Sequence, residues 1–272
     1  IKCENHNVGW YMTGQEFDDY ELKMLADAVA SARFLTLKDS MNLIKKLKNL
    51  ATKDGEQIID ATTAVDEELK LQDKKFKLKF DAIMRAITEH RQISFQYEDI
   101  VAGNKRKLCK DGKVYQVSPY YLGPWGPEYF LVANMLPYDD TIHFRVEMMT
   151  NLKTLELPVR PMSEIDELKD IGKNGRTFSD YARETVHLWS GKICSVSISG
   201  INHVRQDVMK KFGNSLMFMD KPNDRFSVTL NVAEGEGFYQ WVAKYGSNIK
   251  IEGPKDVVEK YKAFIKSVLR QY

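Results

Sequence analysis

The sequence predicts an α+β protein in three parts: a helical N-terminal region, a small, strongly bent β-barrel of the SH3 or Sm type, and a ferredoxin-like C-terminal domain. Three observations predict it. Apolar residues recur at helical spacing as far as His90, and the period then falls to two from Ile93. From about residue 186 the element types alternate as β-α-β-β-α-β followed by a helix. A chain of 272 residues, 43% hydrophobic and 11% aromatic, can build the cores such parts need, so wholesale disorder is excluded.

In the first part, Leu22, Leu25, Ala26 and Val29 fall at i, i+3, i+4 and i+7, one stripe of an amphipathic helix. Thr36 with Asp39 three residues on resembles a capping box, opening a helix that carries Leu43, Ile44, Leu47 and Leu50. A polar connection through Gly55 leads to a third stripe, Phe76, Phe80, Ile83, Met84 and Ile87.

In the middle part, Ile93, Phe95 and Tyr97 alternate, and Lys110-Asp111-Gly112-Lys113 offers a hairpin turn before Val114–Val117. Further strands are expected at 128–134, 141–147 and 151–157, which together suggest the small barrel. Pro158, Pro161 and the polar stretch Gly172–Gly175 mark a linker.

In the last part, Ile193–Ile198 reads as strand and Val204–Phe212 as helix, stopped by Gly213. Leu216–Met219 and Phe226–Val232 read as strands across a Pro-Asn-Asp turn. Phe238, Trp241, Val242 and Tyr245 form a helical face, Ile249–Ile251 a strand, and Pro254 opens a terminal helix.

Composition narrows function. Forty Lys+Arg against 38 Asp+Glu leave a net charge of +2, which excludes coating duplex nucleic acid by bulk charge and leaves room for a local patch. Cys3, Cys109 and Cys194 are far apart and odd in number, so neither a zinc ribbon nor a disulfide framework is expected. No apolar run approaches the ~18 residues a membrane-spanning helix requires. No signal-peptide pattern opens the chain, and a cytoplasmic protein is expected. The chain begins at Ile1, as if cut from something longer.

No chemistry-bearing constellation stands out. The histidines at 6, 90, 143, 187 and 203 form neither HxxxH nor HExxH, so no metal site is expected. No Walker loop exists, AEGEG at 233–237 is spaced wrongly for a dinucleotide turn, and no GxSxG elbow is present. Asp139-Asp140 fits a hairpin turn better than a metal. The expectation is a protein that is not an enzyme and carries no cofactor.

Two features remain. Lys105, Arg106 and Lys107, with Lys110 and Lys113, place five cations around one hairpin, which serves phosphate contacts or simply a solvated hairpin. The second is Ser118-Pro119-Tyr120-Tyr121-Leu122, then Tyr129-Phe130-Leu131, then His143-Phe144-Arg145-Val146. Strand alternation puts Phe144 and Val146 on one face and His143, Arg145 and Glu147 on the other. An arginine among aromatics and a serine can hold an anion and stack a base. A surface ladder of Arg145 with Glu147 is the other reading.

At these residues the run VSPYYLGPWGPEYFLVANMLPYDDTIHFRVEMMTNLKTLEL resembles the WYL-domain family of bacterial transcriptional regulators. The pattern is a Ser/His-Pro segment, a Trp/Tyr-Tyr-Leu-Val strand and a Phe-Arg-hydrophobic-acidic strand. Residues 9–47 resemble the wing end and helical linker of such regulators, and residues 212–254 their C-terminal extension, WCX.

The resemblance implies five segments. They are the remnant of a winged helix-turn-helix at 1–16, a helical dimerisation linker at 17–92, a ligand-sensing WYL barrel at 93–157, a linker at 158–185 and a WCX domain at 186–272. It also implies a homodimer, a nucleic-acid or nucleotide-like effector, and operator DNA met only through an N-terminal domain largely missing from this chain. Carried over residue by residue, Ser118, Tyr120, Tyr129 and Arg145 line the family's pocket. Two departures stand out: the eponymous Trp-Tyr-Leu is Tyr129-Phe130-Leu131, and Met148 replaces a second arginine found in many members. The rival from another class is a stand-alone single-stranded nucleic-acid-binding accessory of a defence or repair system.

Overall fold

The computed structural model describes residues 16–103, 105–186, 189 and 191–272. The expected wing remnant at 1–16, with Val8–Met12, falls almost wholly outside the described residues. The chain mixes helices with antiparallel sheets and divides into two compact units, each described by itself. The first comprises residues up to Ala82 with Leu122–Phe130 and Arg145–Met149, and the second the remainder.

In the first unit, α1 (Asp19–Ser31), α2 (Leu37–Lys48) and α3 (Lys53–Thr62) pack around Leu22, Ala26, Ala30, Ile44 and Ile59. Leu22 and Ala26 are the buried members of the stripe read in α1, and Leu25 is exposed. Thr36 caps α2 by accepting from the Asp39 amide at 3.1 Å.

Helix α3 replaces the polar connection expected through Gly55. Thr52 caps it, accepting from Gly55 N at 3.1 Å, and Asp19 accepts from Thr52 N at 2.9 Å and from its hydroxyl. A Cβ on Gly55 would lie 2.3 Å from the Asp19 carboxyl carbon, so glycine is what lets the cap close. Lys70, nearly fully buried, donates to the carbonyls of Val29, Ala30 and Ala32 at the end of α1. The next helix, α4 (Phe76–Thr88), begins in this unit.

The middle strands are β1 (Arg91–Val101), β2 (Lys105–Leu108), β3 (Val114–Trp125), β4 (Glu128–Asn134), β5 (Ile142–Arg145) and β6 (Met149–Pro158). They form one sheet of order β2-β1-β3-β4-β5, with β6 also pairing β1. Residues 93–96 of β1 pair β3 and residues 98–101 pair β2, so β1 serves several partners and the sheet curls into a half-barrel. Strand β5 is shorter than the strand expected at 141–147: after Arg145 the chain makes a 3-10 turn, Val146–Met148. Phe95, Tyr115 and Phe144 pack as an aromatic cluster in the second unit.

The segment read as a linker at 158–185 carries Ile165, Leu168 and Tyr181, all buried with Tyr120 and Val132. It includes the short helix α5 (Phe178–Glu184).

The C-terminal region has β7 (Ile193–Ile201), α6 (Arg205–Phe212), β8 (Met219–Lys221), β9 (Arg225–Ala233), α7 (Glu236–Ala243), β10 (Ile249–Gly253) and α8 (Lys255–Leu269). Its antiparallel sheet runs β10-β7-β9-β8. Val196, Ile198, Phe226 and Val228 from one sheet face meet Val208, Phe212, Phe238 and Trp241 from the helices. Gly213, at φ 105°, ends α6 in a conformation that side chains disfavour. Asn223 and Asp224, both at positive φ, make the tight turn between β8 and β9.

Candidate functional site

The four residues expected to line a pocket belong to different units. Ser118 and Tyr120 on β3 lie in the second, and Tyr129 on β4 and Arg145 at the end of β5 lie in the first.

Ser118 and Tyr120 are both buried and share one partner, Arg160. The Arg160 amide donates to Ser118 Oγ at 3.0 Å, and the Tyr120 hydroxyl donates to the Arg160 carbonyl at 2.7 Å. Burial pushes the Tyr120 phenol up to about 12, so it stays a neutral donor. The Arg160 guanidinium turns outward to Asp139, Glu164 and the Tyr138 carbonyl. Sequence reading passed over Arg160 because it lies in the Pro-flanked stretch taken as linker.

Around this pair the second unit holds a buried polar chain. The Tyr181 hydroxyl is 2.7 Å from Thr141 Oγ1 and 2.8 Å from His143 Nε2, and Glu167 accepts from the Thr141 amide at 2.6 Å. Burial pushes the Glu167 carboxyl above the usual range, against the lowering effect of Thr141.

Tyr129 is half-buried, its ring edge-to-face with Phe34 at 4.4 Å and Phe80 at 5.2 Å between centroids. Arg145 Nη2 lies 2.6 Å from Glu128 Oε1 and also pairs with Glu147 Oε1. Glu147 was legible as the ladder partner two residues on. Glu128 comes from β4 and carries no local signal. Lys79 bridges Asp73 at 2.6 Å and the Glu147 carbonyl at 3.2 Å. The guanidinium, 36% exposed, is therefore held by two carboxylates that an incoming anion has to displace.

Lys105, Arg106 and Lys107 are exposed on β2, paired with the outer end of β1. Arg106 meets Glu98 at 3.4 Å, and Lys113 lies 5.2 Å from the Tyr115 ring centre. Among the described residues no group of three or more His, Cys, Asp or Glu could hold a metal ion, and no helix is long and apolar enough to cross a membrane.

Residues 79–154 match the WYL domain. That span of the WYL match contains Ser118, Tyr120, Tyr129 and Arg145 as well as the basic β2 hairpin. Comparison with curated proteins finds no match. Among solved structures, the chain is similar to the proteasome accessory factor B/C of Arthrobacter aurescens, at 14% identity and TM-score 0.33 over 94% of this chain. It spans 36% of that protein's length. It is also similar to a CRISPR Cas-related protein, at 11% identity and TM-score 0.38, covering 98% of this chain and 75% of that one.

Proposed function

We propose that this chain is the ligand-sensing and dimerisation region of a bacterial WYL-type transcriptional regulator, acting in the cytoplasm and not as an enzyme. Its WYL domain would take a nucleic-acid or nucleotide-like effector. The observation that carries this reading is the WYL match at 79–154, which includes every residue the sequence singled out for anion binding. Within the same proposal the curled sheet is an SH3/Sm-like barrel. The C-terminal region is a ferredoxin-like WCX domain, and the strand order β10-β7-β9-β8 supports that assignment.

Arg145 supplies the chemistry. A phosphate that engages the guanidinium bidentately takes the place of Glu128 and Glu147, and that exchange of partners is the local event of sensing. Ligand then shifts the balance between two arrangements of a homodimer, and so the spacing of DNA-reading heads outside this chain.

Exposed Tyr20 and Met24 on α1, Met41 on α2, Ile58 on α3 and Leu78 on α4 support a subunit contact. Sedimentation at micromolar concentration is expected to give a dimer, and a monomer would contradict that part. Native mass spectrometry of the purified chain with short single-stranded DNA and mononucleotides tests the effector class. Saturable retention of one of them is expected, and retention of neither would remove the reading.

A further inference from the structure

The C-terminal sheet packs one face on helices and leaves the other open, and the open face has an unusual lining. Alternation along β7 and β9 brings out Ser197, Ser199, Ser227 and Thr229, with Ser199 opposite Ser227 and Ser197 opposite Thr229. These four residues line a cavity of about 390 Å³, at the lower end of the range for small-molecule sites.

The two sides of this cavity differ in charge. On the β8–β9 side stand Lys221 and Arg225, opposite each other in register. Among the described residues neither has an ion-pair partner, while Arg145, Arg160, Arg176 and Arg205 all do. On the β10 side stands Glu252, beside a register shift in the ladder that re-aims the strand. It accepts from Ser199 Oγ at 2.6 Å and from Lys250 at 2.9 Å, and these two, with the nearby Arg225 charge, hold its carboxyl below the usual range.

Between the two sides, Ser227 Oγ is shut off from solvent with no hydrogen-bond partner among the described residues. It takes no part in ligand contact, because an oxygen at hydrogen-bond distance would need the accessible surface it lacks.

We propose that this face binds a small phosphorylated polyol of sugar-phosphate size. Arg225 and Lys221 hold the phosphate, and Glu252 accepts from the ligand's hydroxyls. Three inter-strand steps separate Glu252 on β10 from Lys221 on β8, about 14 Å, and two separate it from Arg225 on β9, about 10 Å, so the carboxylate and the cations address different ends of one ligand. Lys221, Arg225 and Lys250 against Glu252 leave the face cationic, which complements a phosphate. No aromatic ring lines the cavity, so a nucleobase finds nothing to stack on, and the site is distinct from the nucleic-acid reading of the WYL domain.

Calorimetric titration of the whole chain with glucose 6-phosphate, glucose and a thymidine decamer tests the proposal. Saturable binding of glucose 6-phosphate is expected, with none of glucose. Arg225→Ala should weaken it about tenfold or more and Lys221→Ala severalfold, at unchanged melting temperature. Lys221 is exposed, so that variant reports even if Arg225→Ala disturbs the sheet. Absence of saturable binding, equal binding of glucose, or indifference to both substitutions would overturn the proposal. So would decamer binding that Arg225→Ala abolishes, which would assign the face to nucleic acid.

Discussion

Ser118 and Tyr120 have their hydroxyls committed to the backbone of Arg160, in a neighbourhood closed by Val132, Ile165, Leu168 and Tyr181. Arg145, in the other unit, holds its charge between two side-chain carboxylates and remains 36% exposed. One family signature thus covers two kinds of chemistry. The first pair makes neutral bonds to backbone atoms that cannot move away without unravelling the segment at 158–161. The second makes ion pairs to Glu128, about a third exposed, and to the more enclosed Glu147. The first pair holds a fold together, and in the proposed reading the second exchanges partners.

Substitutions at each site can break or sharpen that contrast. The largest effect is expected for Tyr120→Ala, which empties a buried aromatic site and should cost about 3–5 kcal/mol in denaturant unfolding. Tyr120→Phe keeps the ring, loses only the bond to the Arg160 carbonyl, and should cost about 1 kcal/mol. An equal loss from both would mean that the hydroxyl, and not packing, anchors β3.

Arg145→Ala is next and should act in the opposite way. Affinity for a short single-stranded oligonucleotide should fall about ten- to a hundredfold, with under ~1 kcal/mol lost in stability. Glu128→Gln is smaller again: it releases one competitor for the guanidinium and should tighten the same binding a few-fold, an effect that shrinks at high salt. Weaker binding in that variant would show Glu128 orienting Arg145 and not restraining it.

The smallest effect concerns pH. Glu167 titrates above its unfolded value of 4.5, so the folded state binds its proton more tightly. Its contribution is therefore present below pH 4.5 and lost as pH rises through the raised folded value. Glu167→Gln should raise the melting temperature at pH 7 and not below pH 4.5. A uniform shift at both would place the effect in the hydrogen bond to Thr141 and not in the charge.

The legible and the hidden parts of the chain follow the same physics. Helices α1, α2 and α4 announce themselves by stripes, because several apolar residues must reach one core. Helix α3 was hidden: it buries only Ile59 among its large side chains, and the Gly55 that reads as a breaker is the residue that admits Asp19. The segment at 158–185 reads as linker because its buried residues, Ile165, Leu168 and Tyr181, are too sparse for any period. Strand β2 is wholly exposed and hides in its charge. At the candidate site, Arg145 and Glu147 were visible together, but Glu128 reaches them across the fold. Arg160 acts through its main chain, which no side-chain pattern reveals.

Anisotropy titration of one labelled single-stranded oligonucleotide against the native chain, Arg145→Ala and Glu128→Gln, with melting curves in parallel, tests the central claim most directly. The expected result is weaker binding for the first variant and tighter binding for the second, with all three proteins equally folded. Three identical titration curves from equally folded proteins would contradict it, leaving Arg145 as a surface ladder with its two glutamates.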